Sequence, residues 1–431
     1  MGPITTSLLG FNQGLAGIDG PKTTYANMQF SQMFHRSTKL CAVLLLGLTV
    51  SALHAAPRTP TQDTEVLERL PFKPGDTTAR ELAALRGAVA KNPKDPEPTQ
   101  ALAQRYFELA AAQGDPRYVG YADALLARFS ATMTAPLLVL RGMVRQYRHD
   151  FADALNDFDA ALKLDTDMAG ARAWRGAIYL VRAQYAEAAK ECEALGTMGR
   201  PVLSGGCTGL TQAYTGQLAT AYKTLQQALA TTRDDNQRLW LNTRLGEVAG
   251  WLGQPALAEQ HYRQALALGM DDGYLLAAWS DFLLDQGRAD EVAKQLAKWE
   301  ASDGLLLRLT EAETLLKRPA AAAHVQALGD RFAAAKLRGD TTHQAEEARF
   351  YLRLRKDPKE ALRLAAENYR VQKEPRDARI VLEGALADRN AAAARPVLDW
   401  LQTSGFEGHP LRALAQQVQQ LPSNPTTGVA K

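Results

Sequence analysis

A spacing of about 34 residues runs through this chain and restricts what it can fold into. Arg141-Gly142 recurs as Arg175-Gly176, Phe151 as Tyr185, Ala154 as Ala188 and Phe158 as Cys192. The same frame continues at Gly216, Ala221, Leu225 and Ala228. It returns at Gly246, Gly253, Ala258, Tyr262 and Ala265, and again at Gly287, Val292 and Leu296. A fixed period in this range belongs to a stack of supersecondary units, each too small to close a core of its own.

The unit reads as a helical hairpin. In Leu245-Gly246-x-x-Ala249 the small residues allow a second helix to approach closely. Gly253 ends the first helix, since reversing the chain there calls for a residue that tolerates positive φ. Ala258, Tyr262 and Ala265 then follow at steps of four and three, which places them on one helical face. Stacking on the next hairpin supplies the other half of the core.

These residues resemble the tetratricopeptide repeat family, whose pattern is W-x2-L-G-x2-Y, then A-x3-F-x2-A, then P. Ala154-x3-Phe158-x2-Ala161 and Ala258-x3-Tyr262-x2-Ala265 match the second helix, and Leu245-Gly246 matches the first. Arg175-Gly176-x2-Tyr179 fits with Arg in place of Leu, while Thr166 and Met270 stand where the closing proline belongs. The match covers residues 135–304. The resemblance implies an all-α fold, a right-handed superhelical solenoid of stacked antiparallel hairpins; the bland alternative is an irregular helical solenoid.

At 431 residues the chain is too long for one compact core, a limit that does not apply to a solenoid. No strand-like alternation of any length is present. The formal charge is +3, and Lys22, Arg36 and Lys39 against Asp19 account for two of those charges within residues 1–55. So slight a balance makes no electrostatic case for nucleic acid.

Residues 33–55 read as a secretory signal peptide. Met33 to Lys39 is short and basic, Leu40 to Leu53 is an apolar run, and His54-Ala55-Ala56 ends in small residues. The run falls short of the roughly 18–20 residues that span a bilayer, so membrane attachment is expected only if the signal stays uncleaved. Cys41 precedes the apolar run and does not suggest a lipid anchor. Residues 1–32 lack helical periodicity and are expected to precede the true initiator, Met28 or Met33. Export predicts a bacterial periplasmic or extracellular protein in an oxidising compartment. Two cysteines then remain, Cys192 late in one hairpin and Cys207 early in the next. A disulfide between them would contribute about 3 kcal/mol through the unfolded state; the other reading is two small buried hydrophobes.

Along the chain, 56–76 reads as a proline-containing linker and 77–134 as divergent N-terminal hairpins, with a turn at Gln113-Gly-Asp-Pro116. Five clear repeats within 135–304 start near 135, 169, 202, 239 and 273. Divergent helical repeats follow over 305–421, with Ala361-x3-Ala365 restoring the frame and final helices near 376–403 and 410–421. A disordered tail is expected over 422–431.

No G-x-S-x-G elbow, G-x4-G-K loop or H-E-x-x-H helix occurs. Gly205-Gly206-x-x-Gly209 lacks a preceding strand and reads as a flexible turn between repeats. Asp165-x-Asp167-x-x-Gly170 has Gly176 where a calcium loop needs Glu. Five histidines beyond residue 55 lie far apart, and Arg338-Gly339-Asp340 sits where a helix must end. No catalytic residue, metal site or cofactor is expected.

In the family, first helices line the concave face. The resemblance carries its groove positions onto Met143, Tyr147, Leu210, Tyr214, Trp240, Glu247, Trp251, Tyr274, Asp281 and Asp285. Trp and Tyr are enriched in binding hot spots. Few cationic groups fall on these positions. The expectation is a non-catalytic exported scaffold binding a protein or peptide of an envelope complex in that groove. A glycan ligand or an accessory role in polysaccharide export is the alternative, and an enzyme is disfavoured because no segment is free to be a catalytic domain. The oligomeric state is left open.

Overall fold

The computed structural model describes Gln62 and residues 76–422. Leu82 onward belongs to one compact unit, and Gln62 with 76–81 to another. Residues 1–32 and the leader 33–55 lie outside the described residues, as do all but Gln62 and Asp76 of the linker and all but Pro422 of the tail.

Every regular element among the described residues is helical. Before the clear repeats come α1 (Thr77–Lys91), α2 (Pro96–Gln113) and α3 (Arg117–Ala127). The clear repeats supply α4 (Ala135–Tyr147) with α5 (Phe151–Leu164), α6 (Ala169–Val181) with α7 (Tyr185–Thr197), and α8 (Pro201–Tyr214) with α9 (Leu218–Thr231). They continue with α10 (Asp235–Trp251) and α11 (Pro255–Leu266), then α12 (Gly273–Asp285) and α13 (Ala289–Gln295). Beyond them lie α14 (Asp303–Leu315), α15 (Ala320–Leu337), α16 (Gln344–Phe350), α17 (Pro358–Val371), α18 (Pro375–Ala387), α19 (Arg395–Ser404) and α20 (His409–Gln419). Consecutive helices pack as hairpins, and each hairpin packs on the next.

The packing inside a hairpin explains the sequence period. A side chain at Gly142 would lie 2.5 Å from the Phe158 ring, and one at Gly246 would lie 2.8 Å from Tyr262. The first helix thus offers a bare spot that receives the aromatic ring of the second. Ala154, Ala188, Ala221 and Ala258 are fully buried where the second helices meet their neighbours.

Each hairpin turns through one residue in the left-handed region. These residues are Gly114, His149, Ala183, Gly216, Gly253, Gly287, Lys317, Lys356 and Arg389. The steps between them run from 30 to 39 residues around the repeat period, so the turn persists past 304, where the sequence pattern weakens. Lys and Arg occupy the later turns, as His149 and Ala183 do two of the earlier ones, at a cost of about 1–2 kcal/mol each. Some of the helix starts are fixed by Asp side-chain caps, whereas Asp150 before α5 makes none. Asp234 accepts from Gln237 N at 2.9 Å, Asp272 from Leu275 N at 2.7 Å and Asp357 from Glu360 N at 3.1 Å.

Two expectations need correction. Gly205, Gly206 and Gly209 are not a flexible turn; they lie inside α8, and the turn before it is at Gly199, with φ 69°. Side chains at 206 and 209 would lie 2.0 Å from Trp240 and 2.7 Å from Leu225. These glycines serve close helix approach. The helix expected over 376–403 is broken by the Arg389 turn and a short 3-10 segment, Ala391–Ala394.

Candidate partner-binding face

The first helices α4, α8, α10 and α12 carry the residues assigned to the groove. Met143, Tyr147, Leu210, Tyr214, Trp240 and Tyr274 are all buried. Glu247, Trp251 and Asp281 are half-buried, and Asp285 is exposed. Trp240 faces back into the stack, its ring over Gly206. Tyr214, Trp251, Tyr274, Asp281 and Asp285 instead point toward the later helices of the same chain, which fold back across the ends of the earlier hairpins.

The crossing follows the row of hairpin turns. The Gln372 amide contacts the His149 ring, and Lys373 N donates to Val181 O at 2.8 Å. Trp400 Nε1 donates to Tyr185 Oη at 2.7 Å. Tyr214 Oη donates to Glu374 Oε1 at 3.2 Å. Glu407 Oε2 accepts from Leu218 N at 3.0 Å, and the His409 ring lies beside Gly253. Phe406, fully buried, has its centroid 5.4 Å from both Trp251 and Trp400 and 6.5 Å from Tyr214. Tyr214 in turn meets Tyr185 at 6.2 Å and Trp251 at 5.9 Å. Edge-to-face pairs of this kind contribute about 0.5–1.5 kcal/mol each beyond area burial.

Beyond the aromatic cluster the face becomes a seam of ion pairs. Arg244 donates to Glu247 Oε2 at 2.7 Å and stacks over Tyr274 at 4.5 Å, and Arg376 approaches the Tyr274 ring at 5.1 Å. Arg308 grips Asp281 through two bonds of 2.8 and 2.7 Å. Arg349 joins Asp281 at 2.7 Å to Glu311 at 2.6 and 2.9 Å. Arg379 binds both oxygens of Asp285 at 2.6 Å. Burial opposes the charge on Asp281, but the guanidinium groups of Arg308 and Arg349 overcome it and hold the carboxyl well below the usual range. Burial likewise pushes the Tyr214 and Tyr274 hydroxyls far up.

The scarcity of cations expected for this face is therefore incorrect. Arg308, Arg349, Arg376 and Arg379 enter from α14, α16 and α18, outside the repeats from which the face was read. The signal was present: counted from the start of α18 at Pro375, Arg376 and Glu383 stand second and ninth, as Tyr274 and Asp281 do from the start of α12 at Gly273.

Cys192 and Cys207 are joined by a disulfide with Cα atoms 5.3 Å apart, tying α7 to α8. Asp165 Oδ1 accepts from Asp167 N at 2.9 Å, closing a turn on itself. His261 is buried between Tyr222 Oη at 2.7 Å and Asn242 Oδ1 at 3.0 Å, a packing role. Among the described residues, no group of His, Cys, Asp and Glu is arranged to hold a metal, and no helix is long and apolar enough to cross a membrane.

No protein-family model matches the chain, and no curated protein does either. Among solved structures the chain is similar to one titled the APC/C hetero-tetramer Cut9-Hcn1, at 15% identity over 71% of this chain and 52% of that one, with a TM-score of 0.38. It is similar to yeast Tom70 at 15% identity over 80% of this chain and 62% of that one, with a TM-score of 0.35. For the TPR domain of P58(IPK) the values are 13%, 80% and 98%, with a TM-score of 0.22. The chain thus matches little more than half the length of the first two. Likeness at this level leaves the function to be argued from the chain's own geometry.

Proposed function

We propose that the chain is a non-catalytic scaffold of the tetratricopeptide type, wound as a right-handed superhelix, that binds a protein or peptide partner across the ends of its first helices. One observation carries this: the Tyr214–Trp251 face already holds a non-helical segment, Gly405 to Glu407, through a buried ring and a backbone-to-carboxylate bond. A surface that grips a non-helical segment by an aromatic anchor and a main-chain polar contact has the chemistry of a peptide site.

The scaffold is exported, to the bacterial periplasm or beyond, and works within an envelope complex. The composition of residues 33–55 supports this, as does the Cys192–Cys207 disulfide, since such bonds persist in oxidising compartments. Cross-linking in intact cells, with the tagged chain carrying its own leader, is the test. One discrete envelope protein captured by the wild-type chain and lost from a Tyr214→Ala/Trp251→Ala variant is the expected result. The same set of proteins with both would refute a partner site at this face, and recovery of residues 1–55 on the chain in the cytoplasm would refute export.

A glycan ligand has one separate support. Tyr121 is 49% exposed beside Tyr118 and Tyr106, with centroids 5.5–6.1 Å apart, a platform on which a sugar ring can stack. Binding that survives protease treatment of the ligand fraction and is lost in Tyr121→Ala would favour it.

A further inference from the structure

The segment Gly405 to Gly408 is attached to the scaffold as a ligand would be. It is non-helical, lying between α19 and α20, and Gly405 with φ 69° turns the main chain outward from α19. Three features of the earlier hairpins receive it. Tyr214 and Trp251, from two successive first helices, wall a pocket for the Phe406 ring, which Trp400 closes from the segment's own side. The first turn of α9 has no capping side chain of its own at Gln217, and Glu407 supplies the acceptor for Leu218 N. Gly216 leaves room for the crossing main chain: a side chain there would lie 2.6 Å from the Gly405 carbonyl oxygen. The comparable turn at Gly287 has nothing within 4 Å, so this crowding belongs to one turn of the stack and not to the fold in general.

We propose that this pocket is a recognition site for a small–aromatic–acidic peptide segment, and that residues 405–408 occupy it as an internal competitor. The proposal rests on the scaffold function above and adds the chemistry of the partner. A partner segment of the form Gly-Phe-Glu places a ring between Tyr214 and Trp251 and a carboxylate on the first amides of α9, where the helix dipole also favours negative charge. Its small residue passes over Gly216. Entry requires the loop to leave together with α20, the last helix of the described residues. α20 packs mainly on α18, so its release with the loop leaves the preceding hairpins folded. An occupied pocket lowers the apparent affinity for a partner by the fraction of molecules whose pocket is free, so weakening the internal segment must strengthen binding in trans.

The test is fluorescence anisotropy with a labelled peptide copying residues 402–411, titrated with the full chain. Phe406→Ala should bind it at least ~10-fold more tightly than wild type, because the internal ring no longer competes. Adding Trp251→Ala should abolish the gain, and the peptide with Phe406→Ala should not bind either variant. Glu407→Gln keeps the ring in place and removes only the charged acceptor; with an unchanged circular dichroism spectrum it should also bind more tightly than wild type. If neither folded variant exceeds wild type, or if the two peptides bind alike, the inference is overturned. The scaffold function is judged separately, by the cellular cross-link: a partner captured there, with no peptide bound here, removes the partner chemistry and leaves the scaffold.

Discussion

Gly206→Ala should destabilise the protein, although the position is in the middle of a helix. Alanine in place of glycine in a helix interior normally stabilises by roughly 0.5–1 kcal/mol, because the unfolded chain loses less entropy. At Gly206 the added carbon would meet Trp240 at 2.0, 2.4 and 3.2 Å. The atoms it meets belong to a rigid indole that is 1% exposed and has no open space to retreat into. Separating them to ordinary contact requires α8 and α10 to move apart by more than an ångström. Overpacking of this kind costs typically about 1–3 kcal/mol, and a clash with a ring places it in the upper part of that range. After the helix-propensity gain is subtracted, a net loss of about 1–2 kcal/mol remains. Gly250→Ala is the internal control: it is helical, and nothing lies within 4 Å of its added carbon, so it should gain about 0.5–1 kcal/mol. Urea midpoints followed by circular dichroism and tryptophan fluorescence measure both. A Gly206→Ala midpoint at or above wild type would refute the close-approach account and restore a flexible role for Gly205-Gly206.

Three further outcomes are expected. Reducing the Cys192–Cys207 bond, or replacing both residues by alanine, should lower stability by about 2–4 kcal/mol, read as a drop in the melting midpoint with dithiothreitol; an unchanged midpoint would show that the bond constrains nothing. Burial pushes the Asp272 carboxyl up to about 6, against the opposing backbone N–H groups of Leu275 and Tyr274. The folded state then holds a proton that the unfolded state releases near 4, so stability falls as pH rises from about 4 to 6, by at most ~3 kcal/mol. Asp272→Asn keeps a capping side chain, should remove that slope and should be the more stable form at pH 7–8; an unchanged pH profile would contradict this. Arg349→Ala strands the buried Glu311 and leaves Asp281 to Arg308 alone, and should cost about 3–5 kcal/mol, whereas Arg363→Ala, in an exposed pair with Glu360, should cost under about 1 kcal/mol; equal losses would refute the buried seam.

The hairpins were legible in the sequence because each is made by residues close along the chain. Gly142 and Phe158, or Gly246 and Tyr262, are one helix–turn–helix apart, and their sizes alone dictate that a ring sits on a bare helix. The turn at Gly253 is likewise a local demand, met by a residue that accepts positive φ. The turns at His149, Ala183, Lys317, Lys356 and Arg389 make the same demand but meet it with side chains that carry no such signature, so the turn by itself does not announce the frame. The role of Gly205, Gly206 and Gly209 depended on Trp240, Ala228 and Leu225 standing opposite, and glycine composition cannot distinguish a turn from a close approach.

The sequence by itself determined the repeating unit, its two helices and the small-to-large pairing inside it. It also located the aromatic residues that stand at the ends of successive first helices. Only the tertiary structure decided whether that face is open. Tyr214 meets Glu374 across 160 residues of chain, and Asp285 meets Arg379 across 94. Such contacts arise from the return of the stack upon itself, a sum of small rotations between hairpins. No single hairpin encodes that sum, so the covering of the face by residues 372–409 appears only when the whole chain is folded.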